Sequence, residues 1–271
     1  MTTTVMYRGW SIAVMILALL GCDESNHEDN EMANIQISAT EWQALAKKQV
    51  VFGHQSVGRN ILNGIRSLAE KAGVFLPIIE SRELTTNGGI IHFSVGQNED
   101  PLSKITDFTS TLNKDTMQGV DIALMKLCYV DINDNTNAKQ IAEQYSTMLD
   151  HLSQRFPHTT FIAVTVPLTV VQTTGLKVWI KRLLGRTLSG YADNAHRQEF
   201  NEILRARYNQ QGRLFDLAKI EAEGAGAYEY EGRPIEVLNP ALTSDHGHLN
   251  TQGQEKVAAE LIKFLAALPS R

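Results

Sequence analysis

Short apolar runs alternate with amphipathic stretches along this chain, and that alternation restricts the possible folds most. Ser38 or Thr40 can cap a short helix, Glu41 to Lys48. Gln49 to Phe52 is a β-type run that stops at Gly53. A helical stripe follows, with Ile61, Leu62, Ile65 and Leu68 on one face. Phe75 to Ile79 reads as a second strand, a polar loop with Asn87-Gly88-Gly89 follows, and Pro101 opens a helix to Leu112. Val120 to Leu127 is strongly apolar and the best central strand. A helix from Thr136 or Asn137 to about Arg155 leads to a buried strand, Thr160 to Val166, closed by Pro167. Tyr191 to Tyr208 is helical, Arg213 to Leu217 is a last short strand, residues 221–244 are a long loop, and Thr251 to Leu268 forms the closing helix. Strand and helix thus alternate about five times. This predicts an α/β fold, a three-layer αβα sandwich around a parallel sheet of about five strands. Right-handed crossovers then place all strand C-termini on one edge, where open α/β sheets hold their sites.

The first 37 residues lie outside that pattern. Arg8 precedes an apolar run, Trp10 to Leu20, broken only by Ser11 and followed by Gly21-Cys22. The run is short for a membrane span and has the form of a secretory signal. Residues 23–37 are acidic and polar, as in a flexible tether. The organisation expected is a signal peptide over 1–21, a tether over 22–37 and one domain over 38–271. Leu19-Leu20-Gly21-Cys22 resembles a bacterial lipobox. The resemblance implies diacylglycerol on Cys22, cleavage before it, and a membrane partner through the lipid anchor on the periplasmic or outer side. Asp23 implies inner-membrane retention under a sorting rule of some Gram-negative lipoproteins. An uncleaved anchor or a coincidental cysteine is the alternative. With Cys22 acylated, Cys128 is the only thiol left and no intrachain disulfide forms. A net charge of −5 and the lack of a Lys/Arg stripe argue against nucleic acid as a partner.

Several chemistry-bearing residues fall on the shared sheet edge. Ser56 lies at a strand-to-helix junction, where unpaired N–H groups and the positive dipole end gather. It is either a nucleophile beside an oxyanion site or a plain N-cap. Asp245-His246-Gly247-His248 stands just before the last helix. Its spacing lets a carboxylate accept from one imidazole Nδ1–H and leaves Nε2 free as a base. His248, at i+3, is favoured over His246, whose side chain at i+1 tends to point away. Lys126 is either a substrate contact or a side chain that snorkels. His54 either touches substrate or lines a cleft rim. Trp179, Ile180, Leu183 and Leu184, among Lys177, Lys181, Arg182 and Arg186, suit a lid, a substrate-binding insertion or a membrane-facing patch. The plain alternative is a surface helix whose Trp179 covers the core.

Between 48 and 268 the chain resembles the SGNH (GDSL-like) hydrolase superfamily. Gly53-His54-Gln55-Ser56 matches the family's Gly-x-x-Ser block, with Gln55 where Asp usually stands. Asp245 and His248 match the closing D-x-x-H. The run Asn194 to Asn201, followed by Leu214-Phe215-Asp216, resembles the helix and strand before it. The resemblance implies a flavodoxin-like SGNH fold and ester hydrolysis by Ser56, His248 and Asp245, with no cofactor and no metal. It implies oxyanion donors at the N–H of Ser56, at Gly96 (or Gly88 or Gly89), and at an Asn after the central strand. Val130 occupies that last place, and Asn133 and Asn98 are the nearest substitutes. His54, Gln55 and Tyr129 are the candidate substrate contacts. The substrate class implied is a small-acyl ester, acetyl first, on a glycan. The rivals are a lipid esterase, an acyltransferase on the same fold and a catalytically weak glycan-binding lipoprotein.

Overall fold

Six parallel strands hydrogen-bond side by side in a computed structural model that describes Met1 and residues 36–84, 88–112, 117–173, 179–180, 183–184, 188 and 190–269. By contacts the chain divides into Met1–Asn34 and Ile35–Arg271. The signal peptide, Cys22 and Asp23 lie outside the described residues. Ile37, read as the end of the tether, packs against the core instead.

The strands are β1 (Gln49–His54), β2 (Ile78–Glu80), β3 (Gly89–Ser94), β4 (Ile122–Met125), β5 (Thr160–Val164) and β6 (Leu214–Phe215). Their order is β2-β3-β1-β4-β5-β6. From β1 the chain crosses to the edge strand β2, comes back to β3 beside β1, and then crosses to the other side of β1 with β4. The switch point therefore lies between β1 and β4, where Gly53 pairs with Met125.

The helices are α1 (Ala39–Ala46), α2 (Ser56–Lys71), α3 (Pro101–Thr111), α4 (Ala138–Arg155), α5 (Tyr191–Tyr208), α6 (Leu217–Ala222) and α7 (Thr251–Ala267). Local sequence sets their starts. Ser38 and Glu41 form a reciprocal capping box on α1. Asp100, Asn137 and Asn250 accept from the third residue of α3, α4 and α7.

Strand periodicity of two builds the layers. Val50, Phe52, Ile122 and Leu124 face one core with α2 and α7. Val51, Ala123 and Met125 face the other with α3, α4 and α5. The result is the three-layer αβα sandwich expected, with six strands rather than five.

The extra strand is β3. Asn87-Gly88-Gly89 signals a turn and His92 breaks the apolar run, so the segment reads as loop. The glycines are there because backbone passes close by. A Cβ on Gly88 would lie 2.5 Å from the Ala46 carbonyl oxygen, and one on Gly89 2.4 Å from that of Pro77. Both have positive φ, 116° and 91°. The strand read at 75–79 shrinks to the edge strand β2, and Phe75 is exposed. The loop read over 221–244 contains the end of α6 and an antiparallel hairpin, Tyr228–Tyr230 with Arg233–Ile235. Trp179 is exposed and does not cover the core. No helix among the described residues is long and apolar enough to cross a membrane.

Candidate active site

The N-terminus of α2 sets the first piece. Gln55, not Ser56, holds the N-cap position, and its side chain caps nothing. Its Nε2 donates instead to the carbonyls of Val95 and Gly96, at 2.6 and 3.0 Å. The first-turn N–H groups of α2 are therefore left uncapped around an exposed Ser56. Gly58 lets this turn sit on β1, since a Cβ there would lie 2.3 Å from His54 Cβ.

The turn before α7 brings the second piece. Asp245 Oδ1 accepts from the N–H groups of His248 and Gly247, at 2.7 and 3.1 Å. Its Oδ2 lies 2.7 Å from His248 Nδ1. His248 Nε2 in turn lies 3.0 Å from Ser56 Oγ. A carboxylate only accepts, so Nδ1 carries the proton and Nε2 is free to accept from the serine hydroxyl. Desolvation pushes the Asp245 carboxyl upward, but the bonds from His248 and Gly247 outweigh it and hold it at about 2. The group is ionised at neutral pH. His246 has φ 76° and is exposed, and its carbonyl accepts from Val170 N–H. The structure aligns His248 with Ser56, not His246.

The expected oxyanion donors need correction. Gly96 N–H donates to Asp107 Oδ2 at 2.8 Å, and Asp107 is itself paired with Arg82. Asn133 Nδ2 is turned to the Val130 carbonyl at 3.3 Å. Asn98 Oδ1 accepts from Lys104 Nζ at 3.0 Å. Two expected substrate contacts change as well. His54 is fully buried, and Gln55 ties down the 95–96 loop. Lys126 is also buried, with Nζ donating to the Leu127 carbonyl, so it does not snorkel. Tyr129 remains beside the site. Its hydroxyl is 3.5 Å from His248 Nε2, and the two rings meet edge-to-face at 5.7 Å.

A supporting layer was not read from sequence. Asp131 and Lys104 form a fully buried ion pair at 2.6 Å. Asp131 also accepts from Cys128 N–H and Glu99 N–H, so it joins the loops after β4 and β3. The buried Arg197 donates through Nε to the carbonyls of Tyr129 and Ile132, and through a terminal nitrogen to Thr169 and Asn194. Burial lowers this guanidinium to about 10, so it stays charged at neutral pH. The one sequence signal for it was the family-like run from Asn194 to Asn201. A cavity of about 340 Å³ opens beside Asp245, lined in part by Tyr129, Asn133, Thr169, Gln172 and Asp193. Among the described residues no group of three His, Cys, Asp or Glu side chains is placed to hold a metal ion.

No family model matches the chain, and no curated protein matches it. Solved structures do. A protein of Streptococcus pneumonia described as a platelet activating factor shares 14% identity, with TM-score 0.48, over 83% of this chain and 90% of its own. A protein of Desulfitobacterium hafniense DCB-2 assigned to the G-D-S-L lipolytic family shares 9%, with TM-score 0.46, over 80% and 99%. The periplasmic domain of the Salmonella ser. Paratyphi A lipopolysaccharide acetyltransferase shares 12%, with TM-score 0.44, over 83% and 87%.

Proposed function

We propose that the protein is a serine esterase that removes a small acyl group, acetyl first, from a hydroxylated alcohol such as a glycan. One observation carries this reading: Asp245, His248 and Ser56 stand in a continuous line at 2.7 and 3.0 Å. Ser56 Oγ attacks the ester carbonyl carbon while its proton passes to His248 Nε2. Asp245 holds the tautomer and stabilises the imidazolium. Negative charge on the carbonyl oxygen is met by the uncapped N-terminus of α2. Collapse breaks the bond to the alcohol oxygen, which takes the proton from Nε2. Water then adds to the acyl-enzyme by the same route and releases the acid.

Polar side chains along the adjoining cavity, Gln172 and Asp193 among them, favour a polyol as the alcohol portion. The exposed Trp179, Ile180, Leu183 and Leu184 favour a second reading, in which the ester belongs to a lipid. The lipobox-like Cys22 supports an envelope location through a lipid anchor. Lipid labelling that persists in Cys22→Ala would remove that anchor.

Hydrolysis of p-nitrophenyl acetate by the wild type, abolished in Ser56→Ala, is expected. Equal rates in the two proteins would end the Ser56 mechanism. Lack of both hydrolysis and serine-specific fluorophosphonate labelling would point to a binding module. A strong preference for long-chain p-nitrophenyl esters would favour the lipid reading.

A further inference from the structure

The site described above has a base, a nucleophile and one backbone donor set, but it lacks a side-chain donor for the oxyanion. Val130 is apolar, Gly96 N–H is bonded to Asp107, and the Asn133 amide faces the Val130 carbonyl. One residue on the same loop has a donor in the right neighbourhood. We propose that Tyr129 is a catalytic residue whose phenolic hydroxyl donates to the carbonyl oxygen of the ester as it becomes an oxyanion on Ser56. This inference rests on the esterase reading of Ser56.

Placement is the first argument. β1 and β4 are hydrogen-bonded neighbours at the switch point; Ser56 follows one and Tyr129 follows the other. The Tyr129 hydroxyl and Ser56 Oγ both flank His248 Nε2, at 3.5 and 3.0 Å. The longer contact lies at the outer limit of a hydrogen bond. The phenol is thus not held by Nε2, and its O–H can turn to a ligand oxygen above Ser56. Among the described residues this hydroxyl makes no other hydrogen bond.

Rigidity is the second argument. An oxyanion donor must be in place before charge develops. The Tyr129 carbonyl is fixed by Arg197 Nε at 2.9 Å, and the guanidinium lies 5.8 Å from the ring centroid. The ring also rests on Gly247, where a Cβ would come within 2.9 Å of Tyr129 Cζ. Protonation is the third. Burial raises the phenol above its ordinary range, and the nearby Asp245 carboxylate raises it further, so the proton is retained at neutral pH.

The test compares wild type, Tyr129→Phe and Ser56→Ala on p-nitrophenyl acetate, with thermal melting to confirm folding. Loss of one oxyanion donor lowers kcat by about 100- to 1000-fold. Tyr129→Phe is expected to lose kcat on that scale, with KM nearly unchanged and the melting temperature preserved. Affinity for phenylboronic acid, which forms a tetrahedral anion on an active serine, is expected to fall in parallel. A Tyr129→Phe protein with wild-type kcat, or with a loss confined to KM, overturns the assignment of Tyr129 while the esterase reading stands. A wild type that neither turns over nor depends on Ser56 overturns both.

Discussion

His54 Nε2 lies 3.1 Å from His92 Nδ1 beneath the nucleophile turn. The direction of this chain follows from its ends. His54 Nδ1 faces the Gln55 carbonyl at 2.7 Å, so it carries the proton and Nε2 must accept. His92 Nδ1 therefore donates, and His92 Nε2 accepts from Arg66 at 3.4 Å. Both rings are neutral in this arrangement. Desolvation lowers His54 to about 3, against the Gln55 carbonyl, and desolvation also lowers His92.

The pair makes stability pH-dependent, and Glu221 opposes it. A histidine with a lowered folded pKa binds its proton more readily in the unfolded chain. His54 thus loses stability as pH falls from 6.5 toward 3. Glu221 is fully buried, and burial raises its carboxyl to about 8. Its Oε2 accepts from Leu168 N–H, and Oε1 has no partner among the described residues. Its contribution is present below 4.5 and is lost as pH rises to 8. Between pH 4.5 and 6.5 the His54 and Glu221 contributions run in opposite directions and offset each other, and above pH 6.5 His54 no longer offsets the Glu221 loss. Between pH 6.5 and 8 the Glu221 contribution falls by about 2 kcal/mol, at 1.36 kcal/mol per unit. Urea unfolding of wild type and Glu221→Gln at pH 4.5, 6.5 and 8 measures this. The difference between the two proteins isolates Glu221 from the buried Lys126, whose lowered pKa acts with the opposite sign. Parallel profiles above pH 6.5 would refute the role given to Glu221.

Lys104 and Asp131 supply the next prediction. Both side chains are fully buried, and Lys104 Nζ reaches both carboxylate oxygens, at 2.8 and 2.6 Å. Removing one partner leaves a buried charge without its counter-charge. Lys104→Met is expected to destabilise by about 3–5 kcal/mol. Adding Asp131→Asn removes the stranded charge and should restore part of that loss. Denaturant unfolding of the single and double variants tests the coupling. A single variant within 1 kcal/mol of wild type would mean that the pair is not a structural pillar of the 128–131 loop.

Short-range patterns made part of this architecture legible. The Asp245–His248 spacing lies within one turn, and Ser56 follows a strand whose apolar residues are contiguous. Strand–helix alternation was enough to put both on one sheet edge. The parts that were not legible depend on partners distant in sequence. His54 looks like a rim residue until β3 supplies His92 beside it. Gly96 looks like a free donor until α3 supplies Asp107. Asp131 is an ordinary loop acid until Lys104 is buried against it. β3 was hidden because its glycines answer to the Ala46 and Pro77 backbones, which a linear pattern does not show.

Gly247 ties the loop after β4 to the D-x-x-H turn. The gap it leaves is filled by the Tyr129 ring, whose Cζ would lie 2.9 Å from an added Cβ. Real Cβ atoms do not approach that closely, so Gly247→Ala must shift the ring, the turn or both. The ring is the far end of a side chain and is the softer of the two. Its carbonyl stays fixed by Arg197, so the displacement concentrates at the hydroxyl beside His248 Nε2. A misplacement near 1 Å costs on the order of 100-fold in rate. Gly247→Ala is expected to lower kcat on p-nitrophenyl acetate toward that scale while the protein stays folded. If the loss acts through Tyr129, the same substitution in a Tyr129→Phe background should reduce kcat little further. Fully multiplicative losses in the double variant would show that Gly247 acts through the Asp245–His248 turn itself.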